Sequence, residues 1–384
     1  LIQQDSSWEF DFNSTEKIDF SPHFEEHSFE ISEYETLPNV YYIILDGYPR
    51  NDVLKEHMNF DNSEFTNLLK QRGFHVAESS YANYSFSSQS ISSTMNMGYV
   101  NFLADQFGED SREYNPLLGK DVGLYADNQV IKNFKLMGYK VVKIGSAATY
   151  IHKMPLADLS PCYKTIHLMD NRLFDAVGRT SMIGYFIERW SEEQQRQIIL
   201  CGFEELPKIN DYFEERVFVW SHITLPHFPL IFGPNGEPIT PGTSLLTMNH
   251  PEYTDDSWDV KQQFVQQIQF TNKKSIEFID KILENEKRSI IIIQSDHGSA
   301  FGINLQDPTD DDVFQRLSNF NAIYFPDEKH REMLTYDRTN VNTFRIVFNT
   351  YFGSDYEMLD DQTYWGLSIK KPFWFKDVTS ILLN

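Results

Sequence analysis

The chain has 384 residues, of which 41% are hydrophobic and 23% charged, so a packed globular protein is expected rather than a disordered one. Its formal net charge of -23 opposes binding to nucleic acid and to anionic lipid through basic patches. An anionic substrate would need a local positive centre, which a bound metal ion can supply.

The predicted elements begin after a polar, acidic stretch over 1–36, which we interpret as an N-terminal arm or linker. The apolar run over 40–45 predicts a strand buried on both faces, and it ends at Asp46 and Gly47. The remaining strands are predicted over 74–77, 140–144, 216–220, 289–294 and 321–325. Helices are predicted over 62–72, 87–99, 128–137, 258–286 and 343–351.

Strands alternate with helices along the chain, a pattern typical of βαβ units. We therefore predict an α/β fold in which a central, mainly parallel sheet is covered by helices on both faces. No strong boundary follows the arm, so residues 37–384 are predicted to form one domain. The stretch over 229–251, rich in Pro, Gly and Asn, is interpreted as a surface excursion such as a lid.

Three predicted strands end in potential metal ligands, namely Asp46, His222 and the pair Asp296 and His297. Polar residues at the carboxyl ends of parallel strands meet at one edge of a sheet, where ligands bind. Carboxylates and a neutral imidazole suit a divalent ion such as zinc or manganese. On the residues alone, Asp46 with the following glycine is equally typical of a structural turn, and His222 could be an ordinary loop histidine.

Ser87 lies in the hydroxyl-rich segment 83–90 at the start of a predicted helix. Serine is a common helix N-cap, which would make the residue structural. A nucleophile at this position would instead gain from the helix dipole and the unpaired N–H groups, which stabilise an alkoxide and a bound phosphate. Spacing alone favours the structural interpretation.

Five segments together resemble a known family: LPNVYYIILDGY at 37–48, NYSFSSQS at 83–90, HITLPHFP at 222–229, SDHG at 295–298 and VNTFR at 341–345. In order and spacing they resemble the sulfatase-like branch of the alkaline phosphatase superfamily, near the lipoteichoic acid synthases and phosphoethanolamine transferases. The resemblance covers about residues 37–380 and implies that 37–384 is a catalytic domain of this type.

The resemblance implies a metal site formed by Asp46, Ser87, Asp296 and His297, with Ser87 as the nucleophile. It places the catalytic His-x4-His-x-Pro loop, which contacts the substrate phosphate in the transferases, at His222 and His227. Two-zinc members use an additional Asp-x-x-x-His group, and none occurs between Ser87 and Asp296. One divalent ion, zinc or manganese, is therefore expected.

The activity implied is metal-dependent transfer or hydrolysis of a phosphoryl or phosphodiester group on a small-molecule or lipid-linked phosphate of the cell envelope. The alternatives are a degenerate binding protein on this scaffold or a sulfatase. A sulfatase needs a Cys/Ser-x-Pro-x-Arg motif, which does not follow Ser87. The resemblance to envelope transferases, together with the polar arm before Leu37 and a first residue that is not methionine, leads us to expect an extracytoplasmic domain, in the periplasm or at the cell surface, with a membrane anchor upstream.

Three features depart from the transferase pattern or stay open. Ser87 replaces the usual threonine, and Ser88 leaves the register of the nucleophile open by one residue. The late histidine of the transferases has no clear equivalent, although His330 follows and Arg316 could act in its place. The cysteines, at 162 and 201, form no metal motif, are not expected to be catalytic, and could be paired or free.

Overall fold

The computed structural model describes residues 20–25, 29, 37–108, 124–145, 154–162, 184–239, 257–285, 288–336, 339–368 and 371–382. Most of the predicted arm over 1–36 lies outside these ranges, as does the predicted lid from residue 240 onward. The division into an arm and a domain therefore stays a prediction. Among the described residues, no helix is long and apolar enough to cross a membrane.

The strands are β1 (Asn39–Leu45), β2 (His75–Val76), β3 (Lys140–Gly145), β4 (Val217–Ile223), β5 (Ser289–Gln294), β6 (Asn321–Tyr324), β7 (Tyr364–Ser368) and β8 (Lys371–Asp377). The first six form one sheet in the order β2-β6-β5-β1-β4-β3. The pairs β1–β4, β1–β5 and β3–β4 are parallel, whereas β6 runs antiparallel to β5 and β2. The predicted mainly parallel sheet is confirmed.

The helices are α1 (Asn51–Met58), α2 (Ser63–Gln71), α3 (Ser87–Asn96), α4 (Phe102–Phe107), α5 (Gln129–Leu136), α6 (Gly184–Glu205), α7 (Trp258–Asn285), α8 (Asp310–Leu317), α9 (Thr343–Tyr351) and α10 (Thr379–Leu382). Alternate residues of β1 face opposite sides of the sheet. Tyr41 and Ile43 belong to the core under α7, and Tyr42 and Ile44 to the core under α3, α5 and α9. Helices cover both faces, as predicted.

Two predicted boundaries differ from the structure. Strand β4 does not stop before His222 but continues to Ile223, because its parallel pairing with β1 extends to the end of that strand. The helix predicted over 87–99 ends at Asn96, where the following residue, Met97, adopts a left-handed conformation with φ of 53°. Helices α1, α4, α6, α8 and α10 were not among the predicted elements.

Strands β7 and β8 form a separate antiparallel hairpin that the sequence analysis missed. The segment before α3 lies beside this hairpin, since the Tyr364 N–H donates to the Asn83 carbonyl at 2.8 Å and Tyr84 pairs with Tyr364 in parallel. The Gly366 N–H donates to Ser85 Oγ at 2.9 Å. The hairpin thus fixes the backbone that leads to Ser87.

Cys162 and Cys201 form a disulfide across 39 residues of sequence, so the two cysteines are paired and not free. The bond joins the segment after β3 to helix α6. Cys162 is buried in the core on the α7 side of the sheet. The disulfide thus ties the edge of the sheet to a helix that flanks it.

Candidate metal centre and nucleophile

The central strand β1 lies between β4 and β5, with Ile44 opposite His222 on one side and Gln294 on the other. The parallel strands end at the same edge of the sheet, so the residues at their carboxyl ends meet there. This register brings together Asp46, His222 and Asp296. These residues meet because β1, β4 and β5 are buried apolar strands, each with a polar residue at or just after its carboxyl end.

Asp46 is at the centre of this cluster. Its Oδ2 lies 3.2 Å from Nε2 of His222, and its Oδ1 lies 3.7 Å from Nε2 of His297. The side chain is only 9% exposed. Asp46 therefore presents one carboxylate oxygen to each of two imidazoles.

The turn after β5 holds Asp296 by its own backbone and by that of Gly47. Asp296 Oδ1 accepts hydrogen bonds from the N–H groups of Gly47 and His297, both at 3.1 Å. Among the described residues, the buried Asp296 Oδ2 and Asp46 Oδ1 have no hydrogen-bond partner. Buried carboxylate oxygens without hydrogen bonds are costly unless a cation binds them.

His297 is oriented toward these oxygens. Its Nδ1–H donates to the Gly298 carbonyl at 2.9 Å, which leaves the lone pair on Nε2. Nε2 lies 3.1 Å from Ser87 Oγ and 3.4 Å from Asp296 Oδ2. Ligands about 2.0–2.1 Å from a tetrahedral zinc ion are about 3.3–3.4 Å apart, so these spacings fit a divalent ion.

The ligand-forming atoms fall into two overlapping groups that share Asp46. One group is Asp46, His227 and His297, and the other is Asp46, His222 and Asp296. Within each group these atoms lie within 4.8 Å of one another. The residues fit a divalent ion, and the prediction of a single ion remains to be tested.

The electrostatics of the cluster favour a cation-binding state. Burial raises the pKa of Asp46, but the charges of His227, His222 and His297 outweigh burial and hold that pKa well below its usual range. Burial lowers the pKa of His297 to about 4, and the charge of Arg316 adds to this effect. An ionised carboxylate and a neutral imidazole are the forms that coordinate a metal.

Ser87 is the first residue of α3, and Phe86 occupies the N-cap position. Ser87 is therefore not the capping residue that the structural interpretation required. Its hydroxyl donates to Nε2 of His297, while the Ser88 hydroxyl donates to Gln89 Oε1 at 2.8 Å. Ser90 Oγ donates to the Asp296 carbonyl at 2.6 Å, which joins α3 to the turn after β5.

The two predicted catalytic histidines differ in exposure. His222 is fully buried, with Nδ1 3.4 Å from the Tyr125 hydroxyl. His227 is half-buried on the loop after β4, and its N–H donates to the Asp46 carbonyl at 3.0 Å. His227 Nδ1–H donates to the Phe228 carbonyl at 2.9 Å, so Nε2 is the nitrogen available for chemistry. The catalytic roles of both histidines stay predictions.

Sequence reasoning missed the significance of Gly47. Its φ is +68°, and a Cβ there would lie 3.3 Å from His227 Cδ2 and 3.5 Å from His297 Cε1. The glycine after Asp46 was considered only as a turn signal. Its second function is to leave room for both imidazoles.

The two candidates for the late histidine lie in different places. Arg316 is buried beside the site, where Nε donates to the Ser85 carbonyl at 2.8 Å and Nη1 to the Gly298 carbonyl at 3.2 Å. His330 contacts Asp327 and the Tyr351 ring instead. Arg316 therefore connects the segment before Ser87 to the turn that carries His297.

No family model matches the chain, and no curated protein matches it. Solved structures do match. The zinc complex of the C-terminal periplasmic domain of EcEptC from Escherichia coli is 10% identical, with 90% of this chain and 95% of that chain covered and a TM-score of 0.55. The phosphonate monoester hydrolase of Agrobacterium radiobacter is 12% identical, with 85% and 80% covered and a TM-score of 0.51.

A third match is the integral membrane protein lipooligosaccharide phosphoethanolamine transferase A from Neisseria meningitidis, at 11% identity and a TM-score of 0.49. The match covers 84% of this chain but only 56% of the transferase, so this chain spans little more than half of its length. At such identities the first two matches, with TM-scores of 0.55 and 0.51, establish the fold and leave the activity to be tested.

The chain is thus an α/β protein with a buried cluster of carboxylates and imidazoles at the carboxyl edge of its sheet. A serine at a helix N-terminus lies beside this cluster. The chain has the fold of the alkaline phosphatase superfamily, as its sequence motifs predicted.

Proposed function

We propose that this protein is a metal-dependent enzyme that transfers a phosphoryl or phosphodiester group through a serine nucleophile. One observation supports this most strongly: Ser87 Oγ, at the start of α3, lies 3.1 Å from His297 Nε2. The same imidazole is within 3.7 Å of Asp46, whose Oδ1 is a buried oxygen without a hydrogen bond from the described residues.

The proposed ligands of one zinc or manganese ion are Asp46, Ser87, Asp296 and His297. When bound, the ion stabilises the Ser87 alkoxide and the negative charge on the phosphoryl oxygens. His222 is proposed to orient Asp46 from behind, as hydrogen-bonding groups in the outer shell of metal sites do. His222 is thus proposed to act on Asp46, whereas the sequence predicted that it contacts the substrate.

In the first step, Ser87 Oγ attacks phosphorus while its proton is released to solvent. The bond between phosphorus and the leaving oxygen breaks, and His227 in its protonated form supplies the proton that this oxygen needs. In the second step, water or an alcohol attacks the phosphoserine and gives its proton to His227 as the bond between phosphorus and Ser87 Oγ breaks. Ser87 Oγ then takes a proton from solvent, which restores its hydroxyl. The N-terminus of α3 favours the negative charge of the bound phosphate.

The proposed substrate is a lipid-linked or glycan-linked phosphate outside the cytoplasm, in the periplasm or at the cell surface, with a membrane anchor on the full-length protein. The disulfide between Cys162 and Cys201 supports this location, because disulfides persist in oxidising compartments. The match to the zinc complex of a periplasmic domain supports the choice of ion and of compartment.

The experiment is turnover of aryl phosphate monoesters and diesters with added zinc or manganese, followed by intact-mass analysis of trapped protein. Wild type should turn over and gain the mass of one phosphoryl or phosphodiester group on Ser87. Ser87→Ala should lose several orders of magnitude in rate, because the covalent step is absent. Ser88→Ala is the matched control and should retain turnover.

Other outcomes identify the alternatives. Metal binding without turnover on any ester would indicate a binding protein. Turnover of aryl sulfates by protein with a formylglycine mass change would indicate a sulfatase. Loss of activity in Ser88→Ala, with activity kept in Ser87→Ala, would move the nucleophile by one residue.

A further inference from the structure

The loop after β4, over 224–232, brings His227 to the site. Pro226 and Pro229 have no N–H to donate, so this loop can form few backbone hydrogen bonds of its own. The His227 N–H donates to the Asp46 carbonyl at 3.0 Å. Buried carbonyls of the loop therefore need hydrogen-bond donors from elsewhere in the fold.

One side chain of α7 supplies donors to three of these carbonyls. Gln267 Nε2 lies 3.0 Å from the Pro226 carbonyl, 3.0 Å from the His227 carbonyl and 3.3 Å from the Pro229 carbonyl. Gln267 Oε1 accepts from the N–H groups of Ile231 and Phe232 at 2.9 and 3.2 Å. The carboxamide thus binds both arms of the loop around His227.

Gln267 is fully buried, with no solvent-exposed surface. A buried backbone group that loses its partner is costly to leave unsatisfied if water cannot replace the bond. An amide is the side chain whose donors and acceptor can serve carbonyls and N–H groups together. A methionine of similar length would fill the space but satisfy none of these groups.

We propose that Gln267 is a positioning residue that fixes His227 in its catalytic orientation against Asp46 and Gly47. The inference rests on the proposed function, in which His227 protonates the leaving oxygen. His227 lies within the candidate site, since its ligand-forming nitrogen is within 4.8 Å of the ligand-forming atoms of Asp46 and His297. Gln267 itself contacts the loop backbone, so it acts through His227.

The kinetic test compares Gln267→Met, Gln267→Glu and His227→Gln on aryl diesters of increasing leaving-group pKa. A general acid contributes about 10²–10⁴-fold, and its contribution grows as the leaving oxygen becomes more basic. Both Gln267 variants should therefore lose about 10-fold or more in kcat/KM on phenyl esters and much less on dinitrophenyl esters. In the His227→Gln background, Gln267→Met should cause little further loss.

The matched control is Asn349→Leu. Asn349 Nδ2 donates to the Tyr356 carbonyl at 2.8 Å, and Asn349 Oδ1 accepts from the Tyr356 N–H at 2.8 Å, so this amide holds a loop with no candidate site residue. The variant should lower thermal stability without changing the leaving-group dependence. Equal losses on all leaving groups in the Gln267 variants, or a full additional loss in the His227→Gln background, would overturn the proposal.

A second readout needs no activity and therefore separates this inference from the proposed function. Imidazole NMR spectra of protein with labelled histidine should show the His227 resonances shifted in both Gln267 variants and those of His330 unchanged. His227→Gln assigns the signal. Unshifted His227 resonances would overturn the inference even if wild type turns over no ester. Gln267→Glu retains both accepted bonds, so it provides the test if Gln267→Met does not fold.

Discussion

Two segments bring histidines to the site, and they are built in different ways. The turn after β5 is held by its own residues and by the turn after β1, since Ser295 Oγ donates to the His297 carbonyl at 2.6 Å and accepts from the Tyr48 N–H at 2.8 Å. The loop after β4 is held by Gln267, which lies 35 to 41 positions away in sequence. The turn is therefore held by contacts within itself and with the turn after β1, whereas one buried side chain of α7 binds three carbonyls and two N–H groups of the loop.

The difference suggests a division of labour. The turn presents the proposed ion ligands Asp296 and His297, and the spacing of such ligands must be accurate to a fraction of an ångström. The loop presents the half-buried His227, which in the proposed mechanism must reach substrate oxygens and exchange protons. We expect changes in the turn to affect ion binding first, and changes in the loop to affect proton transfer with ion binding retained.

The largest expected effect is that of Asp296→Asn. The substitution removes the charge of a proposed ligand, so the ion should be lost and turnover should fall by several orders of magnitude. Metal content and aryl ester turnover measure this. Asp311→Asn, on the exposed surface of α8, is the control and should keep both. An Asp296→Asn variant with its ion and full activity would remove the turn from the site.

A smaller effect is expected from His222→Gln. If His222 orients Asp46, the ion affinity should fall by about 10–100-fold, as for other outer-shell partners of metal ligands. The leaving-group dependence should stay that of wild type, unlike that of His227→Gln. A changed leaving-group dependence in His222→Gln would show that His222 acts on the substrate, as first predicted from the sequence.

Gly47→Ala tests the contact between the two segments. The new methyl group would lie between the imidazoles of His227 and His297, so we expect about a tenfold loss of ion affinity or activity. Gly138→Ala is the matched control, because Gly138 has φ of +80° and open space around a Cβ. Both variants bear similar backbone strain, so equal ion affinity in the two would argue against crowding at the site.

The smallest effect on activity is expected when Cys162 and Cys201 are both changed to Ser. A disulfide across 39 residues should contribute about 4 kcal/mol to the free energy of unfolding in the chain-entropy model. Neither cysteine is among the candidate site residues, so kcat/KM should change little. Denaturant unfolding and aryl ester kinetics measure the two quantities. Loss of turnover in a folded double variant would contradict this.

The sequence was most informative where signals are local. Buried apolar runs predicted β1 and β5, and the residues that follow them, Asp46, Asp296 and His297, meet at the edge of the sheet as expected. The parallel register explains why: strands that pair along their whole length bring their ends together. The fold and the convergence of these residues could therefore be predicted.

Tertiary features could not be predicted in the same way. The extension of β4 through His222 depends on its pairing with β1. A buried glutamine such as Gln267 has no sequence signal that distinguishes it from a surface residue. The hairpin of β7 and β8 was missed although the aromatic clusters at 364–365 and 373–375, a composition typical of strands, could have indicated it. These features arise from contacts between distant segments.

The most direct test of the central claim is the number of ions bound per chain. Elemental analysis by mass spectrometry should follow dialysis of wild type and Asp296→Asn against zinc and then manganese. We predict one ion per chain in wild type and none in the variant, since Asp46, Ser87, Asp296 and His297 are proposed to share a single ion. Two ions per wild-type chain, or one ion retained by Asp296→Asn, would contradict the proposed site.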